Sequence, residues 1–224
     1  MGTDEERDGV ALTNLDQPLF DEAGATKRDL VDYVERMADA MVPHLVDRPL
    51  SVIRVRPGQP PFMQKNLPKY TPDWVRSTPM WADRPKREVT YALANDSRTL
   101  LWFANQRAVE YHPALMKAPH WEHQTHLILD LDPPSGVDRE EGFRLAVRAA
   151  HLIRQVLDEA GLAGAVKTSG AKGVHVFVPL APADTADVAA ATRAIAARAE
   201  RLDRELATTE FIVEARHGKV FLDS

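Results

Sequence analysis

The sequence predicts a mixed α/β protein in which helices pack on a sheet. Three observations carry that prediction. Apolar residues recur at helical spacing in several segments, each opened by a capping residue. Residues 126–132 alternate strictly between polar and apolar, the period of a half-buried strand. The second half runs strand, helix, strand, helix, strand, the order expected of a sheet covered by helices.

Taken in order, residues 1–12 read as a flexible leader, and residues 13–224 as the folded domain. Ala23-Gly24-Ala25 ends a loop. Thr26 then caps a helix, with Asp29 at its third position and a stripe of Leu30, Val34, Met37, Met41 and Leu45. Leu50–Arg56 reads as a strand that PGQPP (57–61) breaks. From Pro57 to Pro85 the prolines predict long irregular structure, with Phe62, Tyr70, Trp74 and Trp81 as aromatic surface and Arg84-Pro-Lys-Arg87 as a basic run. Val89–Ala94 predicts a strand, Asp96 starts a helix over Thr99–Ala108, and Val109–His112 predicts a short strand. Asp138 with Glu141 opens a helix whose stripe is Phe143, Ala146, Val147, Ala150, Ile153 and Leu157, and Gly161 ends it. Val174–Val178 is a β-branched strand. Asp184 with Asp187 opens an alanine-rich helix to about Leu206, and Lys219–Asp223 is the last strand.

Composition removes several functional classes. The chain has 224 residues, 44% of them apolar, enough for a real core. It has no cysteine, which excludes a disulfide scaffold, a thiolate zinc site and a cysteine nucleophile. No stretch approaches the roughly 18 apolar residues of a membrane span. The acidic start MGTDEERDGV does not resemble a signal peptide, and Glu6 stands where a myristoylation signal needs Ser or Thr. A soluble cytoplasmic protein with no membrane partner is expected. The net charge of −5 argues against a general nucleic-acid coat, but leaves room for a local basic groove.

The sharpest chemistry lies in His126-Leu-Ile-Leu-Asp130-Leu-Asp132-Pro-Pro. Strand side chains alternate, so Leu127, Leu129 and Leu131 face the core while Asp130 and Asp132 share the other face. Their Cα atoms lie about 7 Å apart, and their repulsion favours a cation between them. Hard oxygen ligands suit Mg²⁺ or Mn²⁺. Taken alone, the pair also fits two surface carboxylates at a strand end. Lys167-Thr168-Ser169-Gly170-Ala171-Lys172-Gly173-Val174-His175 supplies glycines for a tight turn, a hydroxyl, a point charge and a histidine on the polar face. It is not a Walker loop, and taken alone it fits an ordinary β-turn. Asp223 ends the last strand on the same face as Phe221, with Arg216 and Lys219 just upstream; it can complete a two-metal site with Asp130 and Asp132, and taken alone it fits a terminal surface residue better.

These elements, in this order, resemble the archaeo-eukaryotic primase superfamily, and in particular the polymerase domains of bacterial ligase D and their stand-alone relatives. The resemblance rests on Leu15-Asp16-Gln17-Pro18-Leu19-Phe20, Thr26-Lys27-Arg28-Asp29, Phe62-Met63-Gln64-Lys65-Asn66, Val109-Glu110-Tyr111-His112-Pro113, Leu129-Asp130-Leu131-Asp132-Pro133, the Lys167–His175 segment and Gly218-Lys219-Val220-Phe221-Leu222-Asp223. It implies a primase-polymerase fold, with an RRM-like central sheet and helices plus an N-terminal α/β lobe.

The resemblance also implies an activity: template-dependent addition of NTPs or dNTPs to DNA 3′ ends by two-metal phosphoryl transfer, with Mn²⁺ or Mg²⁺. The expected partners are DNA ends or gapped duplexes with a 5′-phosphate, together with Ku and a DNA ligase, for a monomer associated with the bacterial nucleoid. Carried onto this chain, Asp130, Asp132 and Asp223 match the metal carboxylates. Ser169, Gly170, Lys172, Gly173, His175 and Arg216 match the triphosphate contacts, and His112 matches a histidine near the incoming nucleotide. Lys27 matches a basic residue of the 5′-phosphate pocket, and Phe62 an aromatic against the template base. Lys65, with Arg28, Lys69 and Lys86-Arg87, is expected to meet DNA.

The chain departs from the family at three places. Gln17 stands where some ligase D domains carry a second lysine for the end phosphate, and Met63 replaces the second aromatic of a Phe-Phe pair. The family continues past its third aspartate, so a chain ending at Ser224 is expected to lack the last strands. A catalytically impaired DNA-end-binding module and a metal-dependent nuclease remain as alternatives, because a carboxylate cluster does not name its substrate.

Overall fold

The computed structural model describes residues 4–20, 23–82 and 86–224, which form two compact units, Met1–His120 and Trp121–Ser224. Arg84 and Pro85 of the predicted basic run, and residues 1–3 of the predicted leader, lie outside the described residues.

In the first unit, β1 (Glu5–Arg7) and β2 (Val10–Leu12) pair antiparallel. Residues 5–12 of the expected flexible leader therefore form a hairpin. Asp8 and Gly9 both have positive φ, the turn chemistry that suits a two-residue hairpin, and Leu12 is fully buried. Helix α1 (Lys27–Leu45) carries the predicted capping box. Thr26 Oγ1 accepts from the Asp29 N–H, and Asp29 Oδ2 accepts from the Thr26 N–H at 2.7 Å.

Strand β3 (Pro49–Arg56) forms as predicted. The proline-rich segment after it is irregular only over residues 65–76 among the described residues, because it also contains β4 (Gln59–Gln64) and β5 (Ser77–Ala82). With β6 (Arg87–Leu93) the strand order is β4-β3-β6-β5. Pro60, Pro61 and Pro79 thus stand on the end strands of that path, where a missing N–H disrupts no inner ladder. Helix α2 (Ser97–Asn105), capped by Asp96, stops short of the predicted end, and β7 (Ala108–Pro113) pairs with β3. A short strand β8 (Met116–Lys117) follows.

The second unit is built on β9 (His120–Asp132). After it come α3 (Arg139–Glu159), β10 (Ala165–Thr168), β11 (Val174–Asp184), α4 (Thr185–Leu202), β12 (Ala207–Thr208) and β13 (Val220–Asp223). The strand order β10-β11-β9-β13-β12 puts β9 in the middle, antiparallel to both of its neighbours. Leu127, Leu129 and Leu131 of β9 join Val174, Val176, Val220 and Leu222 in one core with Ala146, Ile153 and Leu157 of α3 and Val188 and Ala196 of α4. The helices therefore cover the leucine face of the sheet. The polar face of β9 lies opposite.

Candidate active site

Sheet register gathers the acidic residues. Asp223 on β13 pairs directly with Asp130 on β9, and His175 on β11 pairs with Asp130 from the other side. Asp132 lies two residues along the same face and pairs with Phe221. Three adjacent strands thus present Asp223, Asp130 and His175 in one row. Directly opposed residues in an antiparallel pair have Cα atoms about 4.5–5.5 Å apart, so these groups share one small patch.

The electrostatics of the patch call for a cation. Burial raises the Asp130 pKa, and the neighbouring Asp132 and Asp223 carboxylates raise it further, while His175 opposes them. His175 Nε2 stands 3.4 Å from Asp130 Oδ1. That oxygen is buried and accepts no hydrogen bond. A buried carboxylate oxygen without a donor is costly unless an ion or solvent completes it. Among the described residues, no three acidic or histidine side chains already stand at metal-ligating distance of one point. The donors nevertheless fit a hard divalent ion, being carboxylate oxygens on one face with one of them orphaned.

The turn between β10 and β11 flanks the patch. Gly170 has φ +93°, a conformation that glycine adopts without a Cβ clash. Gly173 lies against β9, where an added Cβ would sit 2.4 Å from the Leu131 carbonyl oxygen. Ser169 Oγ accepts the N–H groups of Ala171 at 3.3 Å and Gly173 at 3.1 Å. The Gly173 amide, expected at the triphosphate, closes the turn on the serine instead. The Ser169 hydroxyl proton and the exposed Lys172 ammonium remain as outward donors. Arg139 at the start of α3 donates to the Ala171 carbonyl at 3.3 Å, and with Lys172 and Phe143 it lines a hollow of about 250 Å³.

Arg216 reaches the same sheet face. Its guanidinium lies 3.7 Å from the centre of the Phe221 ring and donates to the carbonyls of Glu210 and Phe211. This aromatic support is not among the residues that the sequence motifs single out. The alternation that places Phe221 beside Asp223 was its available signal.

The remaining predicted residues belong to the first unit. His112, on β7, contacts Glu110 Oε2 at 2.9 Å. Phe62 on β4 lies beneath the guanidiniums of Arg54 and Arg56, at 5.4 and 5.2 Å. Phe62, Met63, Lys65, Arg87, Val89 and Tyr91 line a cleft of about 410 Å³. Lys27 is 3% exposed and donates to the Thr13 carbonyl at 2.5 Å. Arg28 is instead paired with Glu5 at 2.8 Å and Asp16 at 3.3 Å, so carboxylates already neutralise the charge expected to meet DNA.

The family model described as LigD, primase-polymerase domain, matches residues 26–224. The bifunctional non-homologous end joining protein LigD of Bacillus subtilis is 34% identical over 96% of this chain and 34% of its own length. The multifunctional LigD of Mycolicibacterium smegmatis is 31% identical over 98% of this chain and 29% of its own. The chain therefore spans about a third of the length of these relatives. The solved polymerase domain of Mycobacterium tuberculosis ligase D, in complex with DNA, superposes with a TM-score of 0.87 at 31% identity. That match covers 98% of this chain and 77% of the solved one. The same mixed α/β fold, and a family match that takes in every residue of the acidic patch, lead to one conclusion: the chain belongs to the LigD primase-polymerase domain family.

Proposed function

We propose that this chain is a template-dependent end-joining polymerase that adds NTPs or dNTPs to DNA 3′ ends. One observation carries the reading. The register of β11, β9 and β13 sets Asp223, Asp130 and His175 side by side, with Asp132 on the same face and a buried Asp130 oxygen that has no donor. Asp130, Asp132 and Asp223 would hold divalent cations, Mn²⁺ or Mg²⁺. Bound there, such ions neutralise phosphate charge and acidify the primer 3′-hydroxyl.

The other residues position the substrate. The Ser169 hydroxyl, Lys172, His175 and Arg216 supply donors and positive charge for a triphosphate. His112 would contact the incoming nucleotide. The 410 Å³ cleft offers Phe62 and Tyr91 as stacking surfaces for a template base, with Lys65 and Arg87 for phosphates. Lys27 would receive the 5′-phosphate of a downstream end. Membership of a family named for ligase D supports end-joining repair, with Ku and a DNA ligase as partners. A monomer at the nucleoid fits that role. Among the described residues, no helix is long and apolar enough to cross a membrane.

The test is Mn²⁺-dependent extension of a primer on a 5′-phosphorylated gapped duplex. The wild type should lengthen the primer. Asp130→Ala with Asp132→Ala should abolish extension with an unchanged circular dichroism spectrum. Extension by that double variant overturns the assignment. A shortened primer marks a nuclease, and DNA-end binding without turnover marks a binding module.

A further inference from the structure

We propose that Arg107 is the second cation of the end-phosphate pocket, acting with Lys27 on a terminal phosphomonoester. The inference rests on the end-joining reading above and assigns a residue that neither the sequence motifs nor the comparisons single out.

The backbone of Arg107 is the first sign. Arg107 follows the C-cap of α2 with φ +63°, in the left-handed region. Glycine is the residue preferred at that position past a helix end, because a Cβ is strained there. A strained side chain that persists indicates a constraint at the site it serves. Here the guanidinium turns onto Gln17. Nη2 donates to Gln17 Oε1 at 2.5 Å, and Nη1 to the Pro18 carbonyl at 3.0 Å.

Lys27 meets the same residue through its backbone. Its N–H donates to the Gln17 carbonyl at 2.9 Å, and its buried ammonium donates to the Thr13 carbonyl. Both cations are thus held by neutral oxygens. Among the described residues, neither takes part in an ion pair. Arg107 and the buried Arg54 both oppose the charge on Lys27, and Asp4 offsets them only in part. Positive charge at a buried lysine that is only partly compensated is unfavourable, and an incoming anion relieves it.

The chemistry of the donors selects the anion. A guanidinium presents a planar fork of N–H groups that matches two phosphate oxygens, and a lysine adds a point charge. A terminal phosphomonoester carries close to two negative charges at neutral pH, whereas an internal diester carries one. Two cations, one held by the Gln17 side chain and one by the Thr13 carbonyl, therefore favour an end over the middle of a strand. Gln17, which lacks charge of its own, becomes the hinge on which Arg107 supplies the missing cation.

The experiment compares affinity for a gapped duplex carrying a downstream 5′-phosphate with affinity for the same duplex carrying a 5′-hydroxyl. The wild type should prefer the phosphate. Arg107→Gly should lose that preference by roughly ten- to a hundredfold, as expected for charge-assisted hydrogen bonds. It should keep its melting temperature, since glycine suits the left-handed backbone. Adding Gln17→Lys to Arg107→Gly should restore the preference. The inference is overturned if Arg107→Gly keeps the wild-type preference, or if it weakens both duplexes equally. It is also overturned if the wild type shows no preference. Mn²⁺-dependent extension on a template with no downstream strand then reports separately whether the polymerase reading stands.

Discussion

Replacing Gly173 by alanine tests whether strand register builds the acidic patch. The new Cβ would lie 2.4 Å from the Leu131 carbonyl oxygen, where ordinary contact begins at 3.4 Å. The backbone of β11 must therefore withdraw from β9 by about 1 Å. The neighbouring pairs are Val174 with Leu131 and His175 with Asp130, so the withdrawal falls on the 3.4 Å approach of His175 to Asp130. Overpacking of this kind costs about 1–3 kcal/mol. For a chain of this length, each kcal/mol lowers the melting temperature by roughly 2–4 °C. Misplacing a positioned group by 1 Å costs about a hundredfold in turnover. Thermal unfolding and single-turnover primer extension should be measured together. Gly161→Ala is the comparison in which the added Cβ meets nothing within 4 Å, so that its cost is that of a positive φ of +68°, a strain that Gly173 does not carry. If Gly173→Ala melts and turns over like the wild type, the proposed dependence of the site on that close approach is wrong.

Two further predictions concern the first unit. The pKa of Lys27 is lowered to about 8, chiefly by burial and then by Arg107 and Arg54, against the opposing pull of Asp4. A bound phosphate favours the charged ammonium, so binding takes up a proton once the free lysine is neutral. The preference for a 5′-phosphate should hold below about pH 8 and decline above it, by at most roughly tenfold per pH unit, while a 5′-hydroxyl end shows no such trend; a flat ratio from pH 7 to 9.5 refutes this. Thr26→Ala removes one half of the α1 capping box and should cost about 1 kcal/mol, read as a fall of a few degrees in melting temperature; an unchanged melting curve refutes it.

Local chemistry made much of this protein legible. Thr26, Asp96, Asp138 and Asp184 each cap the helix predicted for them, because a short polar side chain next to an amphipathic stripe satisfies orphan amides wherever the chain goes afterwards. The alternation of His126–Asp132 put Leu127, Leu129 and Leu131 in the core and the aspartates opposite, since a strand's period of two has one buried phase. The Asp8-Gly9 turn is equally local, but its strands are only three residues long, too short for an alternating pattern to show. The prolines of 57–85 misled for a different reason. Whether a proline breaks a strand depends on whether its missing N–H faces a neighbour, and that is a property of the sheet.

The sequence by itself determined which side chains share a face of each strand and where each helix begins, because both depend on contacts within a few residues. Only the tertiary structure decided that Asp223 stands beside Asp130 rather than elsewhere along the sheet, and that Arg107 turns back onto Gln17. Those two pairings join residues about ninety positions apart, and no local propensity encodes them. They follow from the order in which strands and segments pack, which is settled by burial of the whole core at once.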